Sequence, residues 1–377
     1  MPSHLDAVDG VIRDVVAPNA VQVDSTGTFP RAGIDALGKA GLLGLLSATE
    51  VGGQGGTLAD AAAVIERLAA VCGSTAMVTL MHYSAAGIIE ALGPRDVREA
   101  IAKGNHLSTL AFSEVGSRSQ FWSPLSTAVR AGGGVRLDAQ KSWVTSAGQA
   151  DSYVWSSKPL AAEGPMTLWL VPSKTAGLSQ PAGFDGLGLR GNGSTPVTAA
   201  GVIVPESAML GEDGKGLDQA LGMIIPAFQI LSAAFALGTM EGAITEASAH
   251  LTGARYEHLD RSLGEGVLPR HDLARMRLAA DRERALIADT LAAITTGRAD
   301  AMLRVLETKA SAAETSVAVT DLAMKVSGGA AFRKELGVER RFRDSRAARV
   351  MAPTTDALLD IIGRVLMGQP LMDEATP

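Results

Sequence analysis

The sequence predicts an α+β multidomain chain: a helical N-terminal domain over residues 1–108, a middle β domain over 109–215 and a C-terminal helical bundle over 216–377. Three observations carry this. At 377 residues the chain exceeds the size at which a single core stops growing, so two or three packed domains are expected. Apolar residues recur at helical spacing before about residue 108 and again after 216, whereas between them they alternate in short runs. All four tryptophans, Trp122, Trp143, Trp155 and Trp169, fall in that middle stretch, where large rings pack well on pleated faces.

In chain order, Leu5 to Val23 and Arg31 to Ala40 read as helices, parted by the turn-like Asp24-Ser25-Thr26-Gly27-Thr28 and by Pro30. The cluster Gly52-Gly53-Gln54-Gly55-Gly56 invites a phosphate-loop reading. No Gly-Lys-Ser/Thr follows it, however, and the G-x-G-x-x-G register fails at Leu58. The reading adopted is a turn before a helix from Ala59 to Ala70, with Thr57 as N-cap and Asp60 in the first turn. Another helix runs from about Ser74 to Leu92. Short β-rich runs follow at Thr127–Arg130, Val135–Ala139, Tyr153–Ser156, Thr167–Val171 and Val197–Val204, the first two parted by Gly132-Gly133-Gly134.

Beyond them, Leu221 to Met240 holds no charged residue and is long enough for a membrane span. Pro226, Gln229 and Ser232 interrupt it and no basic flank follows, so it is read as a buried bundle helix and no membrane span is expected. Leu273, Met276, Ala280, Ile287, Leu291 and Ile294 stripe the next helix, and a further one runs from about Ala301 to Lys325.

Composition narrows the function. One cysteine, Cys72, excludes an intrachain disulfide; in an Ala/Val-rich helical stretch it reads as core. Thirty-four basic against forty acidic residues give a net charge of −6 with no sustained basic run, which argues against nucleic acid as a partner. Residues 1–6 lack a signal-peptide layout, so a cytoplasmic enzyme is expected. No metal site is expected.

The stretch from Leu110 to Ala150 carries the chemistry. It begins Leu110-Ala111-Phe112-Ser113-Glu114-Val115-Gly116-Ser117-Arg118-Ser119 and ends Gln140-Lys141-Ser142-Trp143-Val144-Thr145-Ser146-Ala147-Gly148-Gln149-Ala150. A Ser/Gly turn offers N–H groups and hydroxyls to an acceptor-rich planar ligand; an indole two residues before a threonine can stack on it while the threonine bonds its edge. The two ends resemble the flavin-contact motifs T-E-P-x-x-G-S and K-x-W-I-T-N-x-x-x-A of the acyl-CoA dehydrogenase family. Gly41-Leu42-Leu43-Gly44-Leu45 near the start, Phe184 to Arg190 at the exit of the β domain, and Val338-Glu339-Arg340-Arg341-Phe342-Arg343-Asp344 near the end also resemble that family, so the likeness covers nearly the whole chain.

The resemblance implies an α-helical N-domain, a middle β-barrel, a C-terminal four-helix bundle, and FAD between the last two. It implies flavin-ring and ribityl contacts from Leu110, Phe112, Ser113, Ser119, Trp143, Val144 and Thr145, and further cofactor contacts from Thr354 and Asp356. Arg255, Gly328 and Gly329 would grip the adenine half of a neighbouring subunit's FAD, which implies a homodimer or homotetramer. Tyr256-Glu257-His258 and Lys325 depart from the family pattern beside that second set.

The substrate implied is an acyl thioester or a related small molecule, from which the family's glutamate takes an α-proton. Here that seat reads Ala352-Pro353-Thr354, and the alternative seat on the first long C-terminal helix reads Pro226-Ala227-Phe228-Gln229. Neither holds a carboxylate. His82, in a helix that borders the acyl pocket of the family, is the one candidate for a relocated base, against the reading of a hydrogen-bonded core histidine. Three expectations follow: an acyl-CoA dehydrogenase-like oxidoreductase with a non-standard base, a flavin-dependent monooxygenase on the same fold, or an inactive flavin- or acyl-binding subunit. The redox partner is left open.

Overall fold

The computed structural model describes residues 3–117, 120–181 and 183–370. Helix α1 (His4–Val11) opens on a capping box in which Ser3 and Asp6 satisfy each other's backbone N–H. It passes through a π turn (Ile12–Val16) into α2 (Ala17–Thr26), which stops at Gly27 in the left-handed region (φ 68°). Then come α3 (Arg31–Lys39), α4 (Leu58–Ala69), α5 (Gly73–Leu92) and α6 (Arg95–Ala102). Thr57 and Asp60 form the capping box of α4, where the sequence places it.

The glycine cluster before α4 is a closed turn. The N–H groups of residues 52 to 56 donate to the carbonyls of Thr49, Ala48, Gly44, Ser47 and Leu45. None is left to cradle a phosphate. A Cβ on Gly53 would lie 2.2 Å from the Ser47 carbonyl oxygen, so close backbone approach explains the glycine there. Cys72 is buried at the start of α5, as expected of a core thiol.

Among its described residues the middle domain has seven strands: β1 (Ser108–Ala111), β2 (Thr127–Ala131), β3 (Gly134–Val144), β4 (Ser152–Ser157), β5 (Thr167–Pro172), β6 (Leu178–Ser179) and β7 (Thr195–Val204). They form two sheets, ordered β1-β4-β5 and β2-β3-β7-β6, with an isolated bridge between Glu114 and Lys141 joining β1's extension to β3. Gly132 and Gly133, both at positive φ, make the two-residue β2–β3 turn that such a hairpin demands. Trp155 and Trp169 face each other across β4 and β5, both fully buried. Strand β1 escapes the sequence reading because Ser-Thr-Leu-Ala is buried along its whole length and shows no alternation.

The C-terminal domain holds α7 (Gly216–Gln219), a π turn (Ala220–Ile224) and α8 (Ile225–Gly253), then a two-stranded ribbon of β8 (Arg255–Tyr256) and β9 (Arg261–Ser262). Helices α9 (Val267–Thr295), α10 (Ala301–Ser327), α11 (Val338–Val350) and α12 (Thr355–Leu366) follow. Helix α8 packs on α9, α10 and α11 and also on α4 and α5 of the first domain. Its uncharged run is therefore bundle core: a Cβ on Gly238 would sit 2.1 Å from the Glu66 carbonyl oxygen of α4.

Candidate functional site

Backbone hydrogen bonds bring the two ends of the 110–150 stretch together. The Ser142 N–H donates to the Ser113 carbonyl at 2.8 Å, and the Val115 N–H to the Gln140 carbonyl at 3.0 Å. Beneath this contact Lys141 and Glu114 form a buried ion pair at 2.5 Å. Lys141 Nζ also donates to the carbonyl and hydroxyl of Ser156 at 2.7 and 2.9 Å. Glu114 accepts from the N–H groups of Leu125 and Ser126 and from the Ser126 hydroxyl. Burial lowers the Lys141 pKa to about 8, against the opposing pull of Glu114. Burial also works to raise that of Glu114, but the lysine charge and the donated bonds outweigh it and leave it below the usual carboxylate range.

Immediately after Lys141 the β3–β7 pairing slips register, and Trp143 leaves the ladder at φ 56° with 71 % of its surface exposed. Ser146 follows at φ 60°. Bulges and left-handed non-glycine residues concentrate where a fold aims side chains at a ligand. Val144 is buried opposite Thr195, and Thr145 Oγ1 pairs with Ser194 Oγ at 3.0 Å. On the other segment Leu110 and Phe112 are buried with Phe121, and the Phe112 and Phe121 rings stack at 6.4 Å. Ser113 is half-buried; Ser119 lies outside the described residues.

These residues suit a planar, acceptor-rich cofactor. Among the described residues the buried hydroxyls of Thr109, Ser146, Thr195, Ser232, Ser327 and Thr355 have no protein partner; of these Thr109 precedes Leu110, Ser146 follows Thr145, Thr195 pairs with Val144 and Thr355 starts α12. Unpartnered buried hydroxyls are uncommon and ask for a ligand or water. Thr354 caps α12 by accepting from the Ala357 N–H at 3.3 Å, and Asp356 stands exposed in the first turn.

Arg255 is bonded to the carbonyl and carboxylate of Asp260 at 2.8 and 2.7 Å. Gly328 (φ 57°) and Gly329 end α10, with open space where a Cβ would point. Both sets stand on the C-terminal domain, and among the described residues no hydrogen bond links them to residues 110–145.

His82 is fully buried, its Nδ1 accepts from the Ser108 N–H at 3.1 Å and its Nε2 bonds the Leu43 carbonyl at 2.9 Å. Burial drives its pKa down to about 4. Its one lone pair is occupied, so it is a core histidine and no free base. Ala352 is half-buried, Phe228 is buried, and Gln229 is fully buried with neither amide atom partnered.

Models of the acyl-CoA dehydrogenase N-terminal, middle and C-terminal domains match residues 4–104, 109–202 and 214–367, in that order. The chain belongs to the acyl-CoA dehydrogenase family. It is 26% identical over 350 residues to the short-chain specific acyl-CoA dehydrogenase of Clostridium acetobutylicum, covering 90% of this chain and 91% of that one. It is also 26% identical over 371 residues to the cyclohex-1-ene-1-carbonyl-CoA dehydrogenase of Geobacter metallireducens, covering 96% and 97%. Its fold matches butyryl-CoA dehydrogenase from Megasphaera elsdenii with a TM-score of 0.90 at 21% identity, over 97% of each chain. Acyl-CoA dehydrogenases are FAD-dependent oxidoreductases, and the three-domain fold described above is theirs.

Two residues that shape the site escaped the sequence reading as a unit. Glu114 and Lys141 stand inside the two motifs, but only the fold shows that they pair; the signal was a charge of each sign within otherwise apolar or hydroxyl-bearing segments. Lys309 is the other omission. It lies in an Ala-rich, buried face of α10 and donates to the carbonyls of Met351 and Pro353, on either side of Ala352.

Proposed function

We propose that this chain is a cytoplasmic, oligomeric FAD-dependent oxidoreductase of acyl thioesters, in which residue 352 does not take the α-proton. The observation that carries the reading is the bonded meeting of Ser113 and Ser142, which brings the segment that carries the exposed Trp143 against the one that carries Leu110, Phe112 and Ser113. In this reading those residues, with Ser119, Val144 and Thr145, hold the flavin ring and ribityl chain, and Thr354 and Asp356 hold the same cofactor from α12. Arg255, Gly328 and Gly329 serve the adenine half in a partner copy. A flavin held there would supply the hydride acceptor. Trp143 would shield it from water, and the hydroxyls near Thr145 would offer it hydrogen bonds.

The carrier is CoA or a carrier protein: beside relatives named as acyl-CoA dehydrogenases, the fold matches a prolyl acyl carrier protein oxidase with a TM-score of 0.86 at 18% identity, over 97% and 99% of the chains. Anaerobic titration of the FAD-loaded protein with a panel of acyl thioesters tests the reading, and bleaching of the flavin band by at least one is expected. No bleaching by any of them sinks it. A second reading, the monooxygenase, is favoured by the lack of a carboxylate at either seat and by the occupied lone pair of His82; it predicts oxygen consumption on supply of reduced flavin. An inactive binding subunit would do neither.

Trp143→Ala is expected to weaken FAD retention by about 1 to 3 kcal/mol, the usual loss of an aromatic cover. Equilibrium dialysis against FAD reads it; unchanged affinity would show that the ring does not face the cofactor.

A further inference from the structure

Helix α12 docks on α10 through a small apolar patch in which Leu306 and Ala310 meet Leu358, with Ile361 and Ile362 at its margin. Apolar contacts of this kind are non-directional and hold a helix down without fixing its register. Lys309 stands between the two α10 members of that patch. It is 1% exposed, and its Nζ donates to the Met351 carbonyl at 2.8 Å and to the Pro353 carbonyl at 2.5 Å. Among the described residues no carboxylate pairs with it, and burial alone brings its pKa down to about 7. Two N–H groups meet two carbonyls, so even the neutral amine makes both bonds. A lysine buried without a counter-charge costs stability and calls for a task. The two acceptors belong to the 351–352 and 353–354 peptide units, so the bonds flank the Ala352–Pro353 linkage and end at the unit that leads into Thr354, the α12 cap.

We propose that Lys309 is a positioning residue: its amine, inserted between the carbonyls of Met351 and Pro353, sets the register of the 351–356 segment and so presents Thr354 and Asp356 to the flavin. This rests on the reading that the cofactor lies against the start of α12. The apolar patch supplies adhesion and Lys309 supplies direction. Among the described residues the Lys309 amine bonds neither the Thr354 nor the Asp356 side chain, so its effect on the cofactor passes through the backbone.

Hydrogen exchange and FAD affinity test it on the purified full chain. Lys309→Met keeps the stem and removes the donors. Exchange is expected to rise in a peptide covering 347–358 and to stay unchanged in one covering 273–294 of α9, while the FAD dissociation constant rises about tenfold or more. Lys309→Gln, which retains an NH₂ group on a shorter stem, is expected to fall between the two, and it replaces Lys309→Met if that variant does not fold. Unchanged exchange over 347–358 overturns the clamp. Raised exchange throughout both peptides overturns it too, because Lys309 would then be a general support of the bundle. Raised local exchange with unchanged FAD affinity overturns the link to the cofactor; since exchange is read without flavin, that failure is distinguishable from failure of the clamp.

Discussion

Lys141→Met is expected to destabilise the chain by about 3 to 5 kcal/mol and to abolish stable flavin binding, the largest stability effect of any single change near the site. Lys141 and Glu114 are both buried, and all three ammonium donors are used: one on Glu114 and two on Ser156. Methionine matches the stem but leaves the Glu114 carboxylate without a cation inside the β domain. Glu114 also fixes the 125–126 backbone and Lys141 fixes β4 through Ser156, so losing the pair loosens both segments that bracket Trp143. Urea titration followed by tryptophan fluorescence gives the loss. Pairing Lys141→Met with Glu114→Gln removes the unpaired charge and is expected to recover about half of it or more, since replacing both members of a buried pair is far milder than replacing one. A single-variant loss under about 1 kcal/mol would mean that the pair does little in solution.

What could be read without the fold was whatever one stretch of chain decides by itself. The Thr57–Asp60 capping box, the Gly132–Gly133 turn and the alternation of Val135 and Leu137 in β3 depend on neighbours within a few residues, and each was legible. The bulge that turns Trp143 outward was not, because it arises from a slip between β3 and β7, some fifty residues apart in sequence.

The π turns at Ile12–Val16 and Ala220–Ile224 left no mark in the apolar spacing. His82 shows the limit most plainly. A histidine on an apolar helix face has one spelling whether it is a base or a core residue, and the choice lay with Leu43 and Ser108, 39 and 26 residues away. Lys309 was passed over for the same reason: its partners are carbonyl groups, and every residue has one.

The second large effect concerns the seat at Ala352. Butyryl-CoA and octanoyl-CoA are expected to reduce the flavin of the unmodified chain about 10²- to 10⁴-fold more slowly than they reduce a family enzyme that keeps its glutamate. The reasoning is one of lone pairs. Removing the α-proton of a thioester needs an acceptor within hydrogen-bond reach of that carbon, and the methyl of Ala352 has none. Phe228 offers none at the alternative seat. His82 has its Nδ1 lone pair filled by the Ser108 N–H and is pushed further from proton uptake by burial.

Gln229 remains, fully buried with both amide atoms unpartnered, but an amide is too weak a base to take the proton; it can orient a carbonyl or a water. Stopped-flow absorbance of the FAD-loaded protein under anaerobic conditions measures the rate directly. Slow reduction by these simple thioesters, with faster reduction by another member of the panel, would mean that the substrate's own α-proton is more acidic or that it brings a group to replace the missing carboxylate. Reduction of the flavin by butyryl-CoA or octanoyl-CoA at the full family rate would refute the prediction and show that a residue outside both seats supplies the base.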